Sequence, residues 1–224
     1  YMTDSHQTLV RWASQMPQAR VLGSPFLCAV LAMPYAIAGQ IELANSLVMH
    51  AVERLKPNED FLFAMCMVQK AFLAACRARF ADMRKFAESA LEYLPQEEYY
   101  LRGMMFQVLA SSYLSTEPLR SRALLHEALQ MQEPFGNRNL TCSALGNLAM
   151  CCANLGLYDE SQMHAASALG LYSEAEGACK PMLAHAWLAQ AIVAHQLGRF
   201  DQAERDLDAY RRLTDLQGGT SEMV

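Results

Sequence analysis

Residues 184–203 read AHAWLAQAIVAHQLGRFDQA, and this stretch decides the fold class. Ala191 and Ala194 stand three positions apart, which places both on one face of an α-helix. A turn at Gly198 ends that helix, and Phe200 opens the next one. The stretch therefore predicts a helical hairpin, whose two helices pack closely through small residues.

The hairpin pattern recurs along the chain with a period close to 39 residues. Small residues recur in the first helices at Ala32, Ala71, Ala110, Ala149 and Ala191, and in the second helices at Ala51, Ala90, Ala128 and Ala168. Larger residues open the second helices at Ile41, Phe80, Tyr158 and Phe200, and we expect them to fill the wedges between hairpins. Because no single hairpin buries both of its faces, the hairpins must stack. The repeat predicts an all-α fold, a right-handed superhelix of about five stacked helical hairpins.

Prolines mark the limits of the predicted hairpins. We expect a lead-in helix in residues 1–23, hairpins at about 24–56, 57–95, 96–134, 135–176 and 177–217, and a tail or linker at 218–224. Pro25, Pro57, Pro95, Pro134 and Pro181 lie at or beside these limits, where the missing N–H of proline costs least. Pro34 is the exception, and we expect it to kink the first helix of the first hairpin. The two ends of the chain suggest a piece of a longer polypeptide.

The composition narrows the class of protein. Of the 224 residues, 53% are hydrophobic and 18% are charged, which argues against a disordered chain. A formal net charge of −5 argues against a nucleic-acid surface, since phosphate binding needs clustered Lys and Arg. Nothing at the N-terminus of these residues reads as a signal peptide, and we expect no apolar run to be long enough to cross a membrane. Seven cysteines without C-x-x-C spacing favour a reducing, cytoplasmic setting.

Two short motifs carry a resemblance to a known family. Gly156-Leu157-Tyr158-Asp159 and Gly198-Arg199-Phe200-Asp201-Gln202-Ala203, with Trp187 eleven residues before Gly198, resemble tetratricopeptide repeats over about four-fifths of the chain. The period exceeds the family's usual length of about 34, and the third hairpin lacks the turn glycine. The opening segment Leu9-x-x-Trp12 … Met16-Pro17 … Val21-Leu22 … Pro25 is similar to the superhelical sensor domain of MalT-like, large ATP-binding LuxR-family transcription regulators.

That resemblance implies a signal-sensing middle domain. In such regulators an NTPase domain precedes the superhelix and a helix-turn-helix domain follows it. The 224 residues hold no G-x-x-x-x-G-K-[ST] loop and no basic recognition helix, so ATP and DNA would be bound outside them. We therefore expect no cofactor, no direct nucleic-acid contact and no membrane contact. The expected partner is a small-molecule inducer or a regulatory protein, alongside the flanking domains.

The resemblance also implies where a ligand would bind, because the first helices of tetratricopeptide repeats line a concave groove. Counting from the packing alanines gives the candidate groove residues Met104, Gln107, Ser111, Ser143, Met150, Asn154, His185, Leu188, Ile192, His195 and Gln196. An apolar groove with few polar groups suits a small organic inducer or an apolar peptide edge. The alternative for each residue is ordinary packing between repeats.

Chemistry beyond binding has little support in the sequence. His185 and His195 are ten residues apart, not the four of a helical metal pair, so we predict no metal site. No Ser/His/Asp or Cys/His/Asn set lies at a strained turn, so we do not expect an enzyme. The prediction is an effector-binding domain of a LuxR/MalT-like regulator. The alternative is a generic tetratricopeptide scaffold for protein–protein interaction.

Overall fold

A computed structural model describes residues 2–172 and 181–215. Within these ranges every regular element is a helix, and no strand occurs. The chain divides into two compact units, Tyr1–Ser112 (unit 1) and Tyr113–Val224 (unit 2). The predicted tail at 218–224 lies outside the described residues, and so do residues 173–180, where we expected the fourth hairpin to give way to the fifth.

Unit 1 contains helices that pair in chain order. They are α1 (Met2–Gln15), α2 (Gln18–Leu22), α3 (Pro25–Ile37), α4 (Ile41–Glu53), α5 (Asp60–Cys76), α6 (Phe80–Tyr93) and α7, which begins at Tyr99 and ends at Tyr113. Helix α3 pairs with α4, and α5 pairs with α6. Because α5 also packs on α3 and α4, the two hairpins share one core.

Unit 2 repeats the same arrangement. Its helices are α8 (Pro118–Gln132), α9 (Arg138–Asn154), α10 (Tyr158–Leu169), α11 (Ala184–Gln196) and α12 (Phe200–Asp215), with short 3₁₀ turns at Glu133–Phe135 and Pro181–Leu183. Helix α9 pairs with α10 and α11 pairs with α12. Helix α9 also packs on α8 and α11. The first helix of each hairpin is therefore the element that joins neighbours within the unit.

The recurring alanines are packing positions, as predicted. Every one of the nine is buried, and only Ala191 retains measurable exposure. The residues that open the second helices behave differently from one another. Ile41 and Tyr158 are half-buried, whereas Phe80 and Phe200 are mostly exposed. The expectation that these residues fill wedges is therefore wrong for Phe80 and Phe200, because 52% and 64% of their surfaces remain exposed.

The turns inside the hairpins use the left-handed backbone region. Gly39, Gly156 and Gly198 have φ values of 80°, 73° and 73°, which glycine adopts without steric cost. Ala78 holds the equivalent place in the second hairpin with a φ of 51°, although its Cβ disfavours this conformation. The same turn is thus formed with and without glycine, which indicates that packing of the flanking helices imposes it.

Helix starts follow local sequence signals. Ser24 precedes α3, its Oγ accepts a hydrogen bond from the Leu27 N–H at 3.3 Å, and Pro25 is the first helical residue. Asn137 caps α9 by accepting from the backbone N–H groups of Asn139 and Leu140. Helix α3 runs on through the buried Pro34 to Ile37. These signals fix where the hairpins begin, and with them which residues face the neighbouring helices.

Candidate functional site

Helices α9 and α11 are the first helices of their hairpins and lie in direct contact. A Cβ built on Gly146 of α9 would meet the Cβ of His185 and the backbone nitrogen of Ala186, each at 3.3 Å. The core beneath this contact contains Cys142, Met150 and Leu183 among its buried members. Close approach at a glycine therefore brings the two backbones together and fixes where His185 lies relative to the buried core.

The structure divides the predicted groove residues by exposure. Met104, Gln107 and Met150 are buried; Ser111, Ser143, Leu188 and Ile192 are half-buried; Asn154, His185, His195 and Gln196 are exposed. For the three buried residues, the alternative of ordinary packing applies, because their side chains contact other protein groups and line no open surface. Met150, for example, belongs to the core of unit 2.

Residues from unit 1 contribute little polar surface to this set. Met104 and Gln107 lie in the interior of α7, and the Ser111 hydroxyl donates to the Gln107 carbonyl oxygen at 2.9 Å, one turn earlier in the same helix. Such a bond satisfies the serine locally. The exposed candidates all lie on α9 and α11 of unit 2.

The α9–α11 face is defined here by Asn154, His185, His195 and Gln196, with the half-buried Leu188 and Ile192 between them. Leu188 and Ile192 are partly buried and pack against the core of unit 2. At a rise of about 1.5 Å per residue, His185 and His195 stand about 15 Å apart along α11. The face therefore has polar groups at its ends and an apolar strip in its middle.

Asn154 ends helix α9 and is positioned by a backbone group. Its Nδ2 donates to the Leu114 carbonyl oxygen at 3.3 Å while the side chain remains exposed. An amide offers two N–H donors and one oxygen acceptor. One such bond orients the group and leaves donor and acceptor capacity for a ligand.

The face carries almost no charge. Helices α9 and α11 together hold one residue of the Asp, Glu, Lys and Arg set, namely Arg138 at the start of α9. The Arg138 guanidinium lies 4.5 Å from the centre of the Tyr172 ring, which engages it in a cation–π contact. Desolvation by the surrounding protein atoms lowers the pKa of the His185 imidazole below its ordinary value, which favours the neutral form. His185 is therefore neutral at pH 7.

Two exposed apolar residues adjoin the face and escaped prediction. The His195 ring packs edge-on against Phe200, with 5.5 Å between ring centroids, and Phe200 retains 64% of its surface. Leu197, in the turn between α11 and α12, is also exposed. The Gly-x-Phe turn motif marked Phe200 for packing, and the sequence holds no signal that this ring stays open.

No described helix combines the length and apolar character that crossing a bilayer requires. Stacked pairs of antiparallel helices with a mostly uncharged face define a helical-repeat protein. Residues 140–214 match the family model described as tetratricopeptide repeat. The prediction of an all-α fold with tetratricopeptide-like hairpins is thereby confirmed.

Solved structures show the same fold. The chain is similar to BtubC from P. vanneervenii, with 21% identity and a TM-score of 0.62, over 99% of this chain and 92% of that chain. It is also similar to YrrB, described as a TPR protein with an unusual peptide-binding site, with 18% identity and a TM-score of 0.51, over 88% of each chain. No curated protein sequence matches it. The fold is an α-solenoid of helical hairpins.

Proposed function

We propose that this chain is a protein-interaction module whose α9–α11 face binds an uncharged, partly apolar segment of a partner. One observation carries the proposal: exposed Asn, His and Gln side chains flank a half-buried Leu and Ile on helices nearly free of charge. The fold favours this function, because stacked first helices present side chains from successive repeats to one ligand.

The chemistry of the face suits an extended peptide. The amides of Asn154 and Gln196 both donate and accept, so each can pair with a peptide backbone unit. Neutral imidazole adds one donor and one acceptor at His185. Leu188 and Ile192 supply the apolar contact between these groups. YrrB, a protein of the same fold, is described as having a peptide-binding site, which supports a peptide as the ligand.

A selection from random peptides tests this proposal. Peptides selected against the full chain from a phage-displayed library are synthesised with a fluorophore, and their affinities are measured by fluorescence anisotropy. We expect uncharged sequences with one or two large apolar residues, and a loss of affinity of at least tenfold in the double variant N154A/Q196A, about 1.4 kcal/mol. The matched control is Met163→Ala, which removes an exposed residue of α10. An equal loss of peptide affinity in the control and in the double variant would show that the α9–α11 face is not the binding site.

The finer form of the proposal places the module in a MalT-like, LuxR-family transcription regulator in the cytoplasm. Its support is the opening segment around Trp12, the period of about 39 residues, and cysteines that are all free among those the structure describes. A ligand with unequal affinity for two arrangements of the hairpins would shift their populations and pass the signal to a flanking NTPase. In this form a small inducer is the ligand of the α9–α11 face.

Two observations separate the regulator from the generic scaffold. The parent reading frame of a regulator encodes a phosphate-binding loop before residue 1 and a helix-turn-helix after residue 224. A thermal-shift panel of small metabolites should then raise the Tm of the wild type and leave that of N154A/Q196A unchanged. A frame without these domains, together with peptide binding only, would leave the interaction scaffold as the function.

A further inference from the structure

A second group of polar side chains lies in unit 2, away from the α9–α11 face. Cys152 is on α9, and Glu160 and His164 stand one turn apart on α10. The ligand atoms of these three residues all lie within 4.8 Å of one another. Cys152 is fully buried, and Glu160 and His164 are half-buried. The three side chains therefore converge from both helices of one hairpin.

Helix α8 adds two further groups to this cluster. The His126 ring lies edge-on to the His164 ring, with 6.3 Å between centroids. The Arg122 Nη2 atom lies 2.5 Å from Glu160 Oε2, and the Cys152 Sγ atom lies 4.0 Å from the same oxygen. Five side chains from three helices thus lie close together, and the Glu160 carboxylate forms an ion pair with Arg122.

The donor types fit a zinc-like ion. Thiolate, imidazole and carboxylate are the groups that bind Zn²⁺ and related first-row metals, and Glu160 and His164 have the spacing of a helical ligand pair. The half-buried His164 imidazole stands beside His126, and the neutral form of an imidazole is the one that coordinates a metal. A tetrahedral site needs ligand atoms about 3.3–3.7 Å apart, so we expect these side chains to rotate slightly when the metal binds.

We propose that Cys152, Glu160 and His164 bind a divalent transition metal of the zinc class, with His126 or a water molecule as the fourth ligand. On binding, the Cys152 thiol releases its proton to solvent and forms the metal–sulfur bond. One thiolate and one carboxylate neutralise the charge of the ion. Arg122 keeps its contact with Oε2 of Glu160, and the metal binds the other oxygen of that carboxylate. The metal links α9 to α10, and through His126 to α8, so its binding stabilises unit 2.

Cobalt(II) is the probe for this site, because a thiolate ligand gives it a charge-transfer band in the near ultraviolet. The titration uses the full chain carrying Cys76→Ser and Cys179→Ser, which removes the exposed thiol and the one outside the described residues. We expect the band on adding cobalt chloride alone, its displacement by zinc, and a rise of Tm with either metal.

Variants assign the ligands. Cys152→Ser should abolish the band, and His164→Gln should weaken cobalt affinity at least tenfold with the helical circular dichroism retained. The matched control is Cys151→Ser, since Cys151 is the adjacent buried thiol but donates to Ser121 instead. His185→Gln is the control for loss of a histidine. Absence of the band in the parent chain, its persistence in Cys152→Ser, or equal loss in Cys151→Ser would overturn the site.

Discussion

Gly146 of α9 lies directly against His185 of α11, so closely that a Cβ on Gly146 would stand 3.3 Å from the Cβ of His185. The contact joins the first helices of two successive hairpins through backbone and Cβ atoms rather than through long side chains. It fixes the spacing between the helices that carry the proposed binding face. Two substitutions at Gly146 separate this role from helix propensity.

Replacing Gly146 with valine should destabilise the chain by about 2 kcal/mol, because both γ-methyl groups would enter the space that His185 and Ala186 occupy. Gly146→Ala should be close to neutral, since a gain in helix propensity of about 1 kcal/mol offsets the tight Cβ contact. Urea unfolding followed by circular dichroism measures both free energies. Equal effects of the two substitutions would show that the helices separate at no cost.

Ala78 takes a left-handed conformation that glycine takes in three other hairpin turns, at Gly39, Gly156 and Gly198. We expect Ala78→Gly to stabilise the protein by about 0.5–1 kcal/mol, the strain relieved being larger than the entropy that glycine adds to the unfolded chain. The mirror substitution Gly156→Ala should destabilise it by about 1 kcal/mol, as no neighbour within 4 Å obstructs the new Cβ and only the backbone strain counts. Thermal unfolding of both variants gives the comparison. A loss of stability in Ala78→Gly would contradict the strain argument.

Asp206 of α12 is only 7% exposed, and its Oδ2 atom is buried without a hydrogen-bond partner among the described residues. Burial raises the pKa of this carboxyl, while a hydrogen bond from Gln202 and the charge of Arg205 partly oppose the shift. A raised pKa means that the folded state holds the proton more tightly than the unfolded state. The contribution of Asp206 to stability therefore falls as the pH rises above about 4, the ordinary range for an aspartate.

The variant Asp206→Asn lacks this titration. Its free energy of unfolding relative to the wild type should therefore shift in the variant's favour between pH 4 and pH 7. Urea unfolding at several pH values measures the difference. Asp208→Asn, at an exposed position two residues on, is the control. A difference that stays constant with pH for Asp206→Asn would show that this carboxyl titrates normally.

Arg102 holds the end of a neighbouring helix. Its Nη1 donates to the carbonyl oxygens of Leu91 and Leu94 at 3.1 and 3.2 Å, at the last turn of α6, while the side chain is buried. Arg102→Met should cost about 2–3 kcal/mol, since it leaves these carbonyl groups without their charged donor. The control is Arg211→Met, whose exposed ion pair with Asp208 is worth less than about 1 kcal/mol. Denaturant unfolding of both variants should show this difference, and similar costs would contradict it.

The hairpins were predictable because their signals are local and periodic. Ala149 and Ala168 are buried where the repeat places them, since a position that lets helices touch tolerates little beyond a methyl group. The turn glycines were equally predictable, because few residues other than glycine adopt a left-handed φ without strain. Ala78 and Phe200 show the limit: the same turn forms without glycine, and a ring in the usual packing position stays mostly exposed.

The binding face was predictable only in part. Met150 and Asn154 lie four residues apart on α9 and were expected to face one groove, yet Met150 is buried and Asn154 is exposed. Exposure along one helical face depends on what packs over each position: Met150 belongs to the core of unit 2, whereas Asn154 is the last residue of α9. Periodicity gives the direction in which a side chain leaves its helix, whereas the neighbour decides whether water reaches it.

By itself the sequence determined the class of fold, the period of the hairpins and the residues at which helices touch, because helix formation and small-residue packing are read over a few positions. Only the tertiary structure decided which candidates remain open to a ligand and which side chains of different helices meet. The spacing of Glu160 and His164 is visible in the sequence, but Cys152 and His126 join them from two other helices. Contacts between helices follow from stacking geometry, which acts over tens of residues and leaves no local pattern.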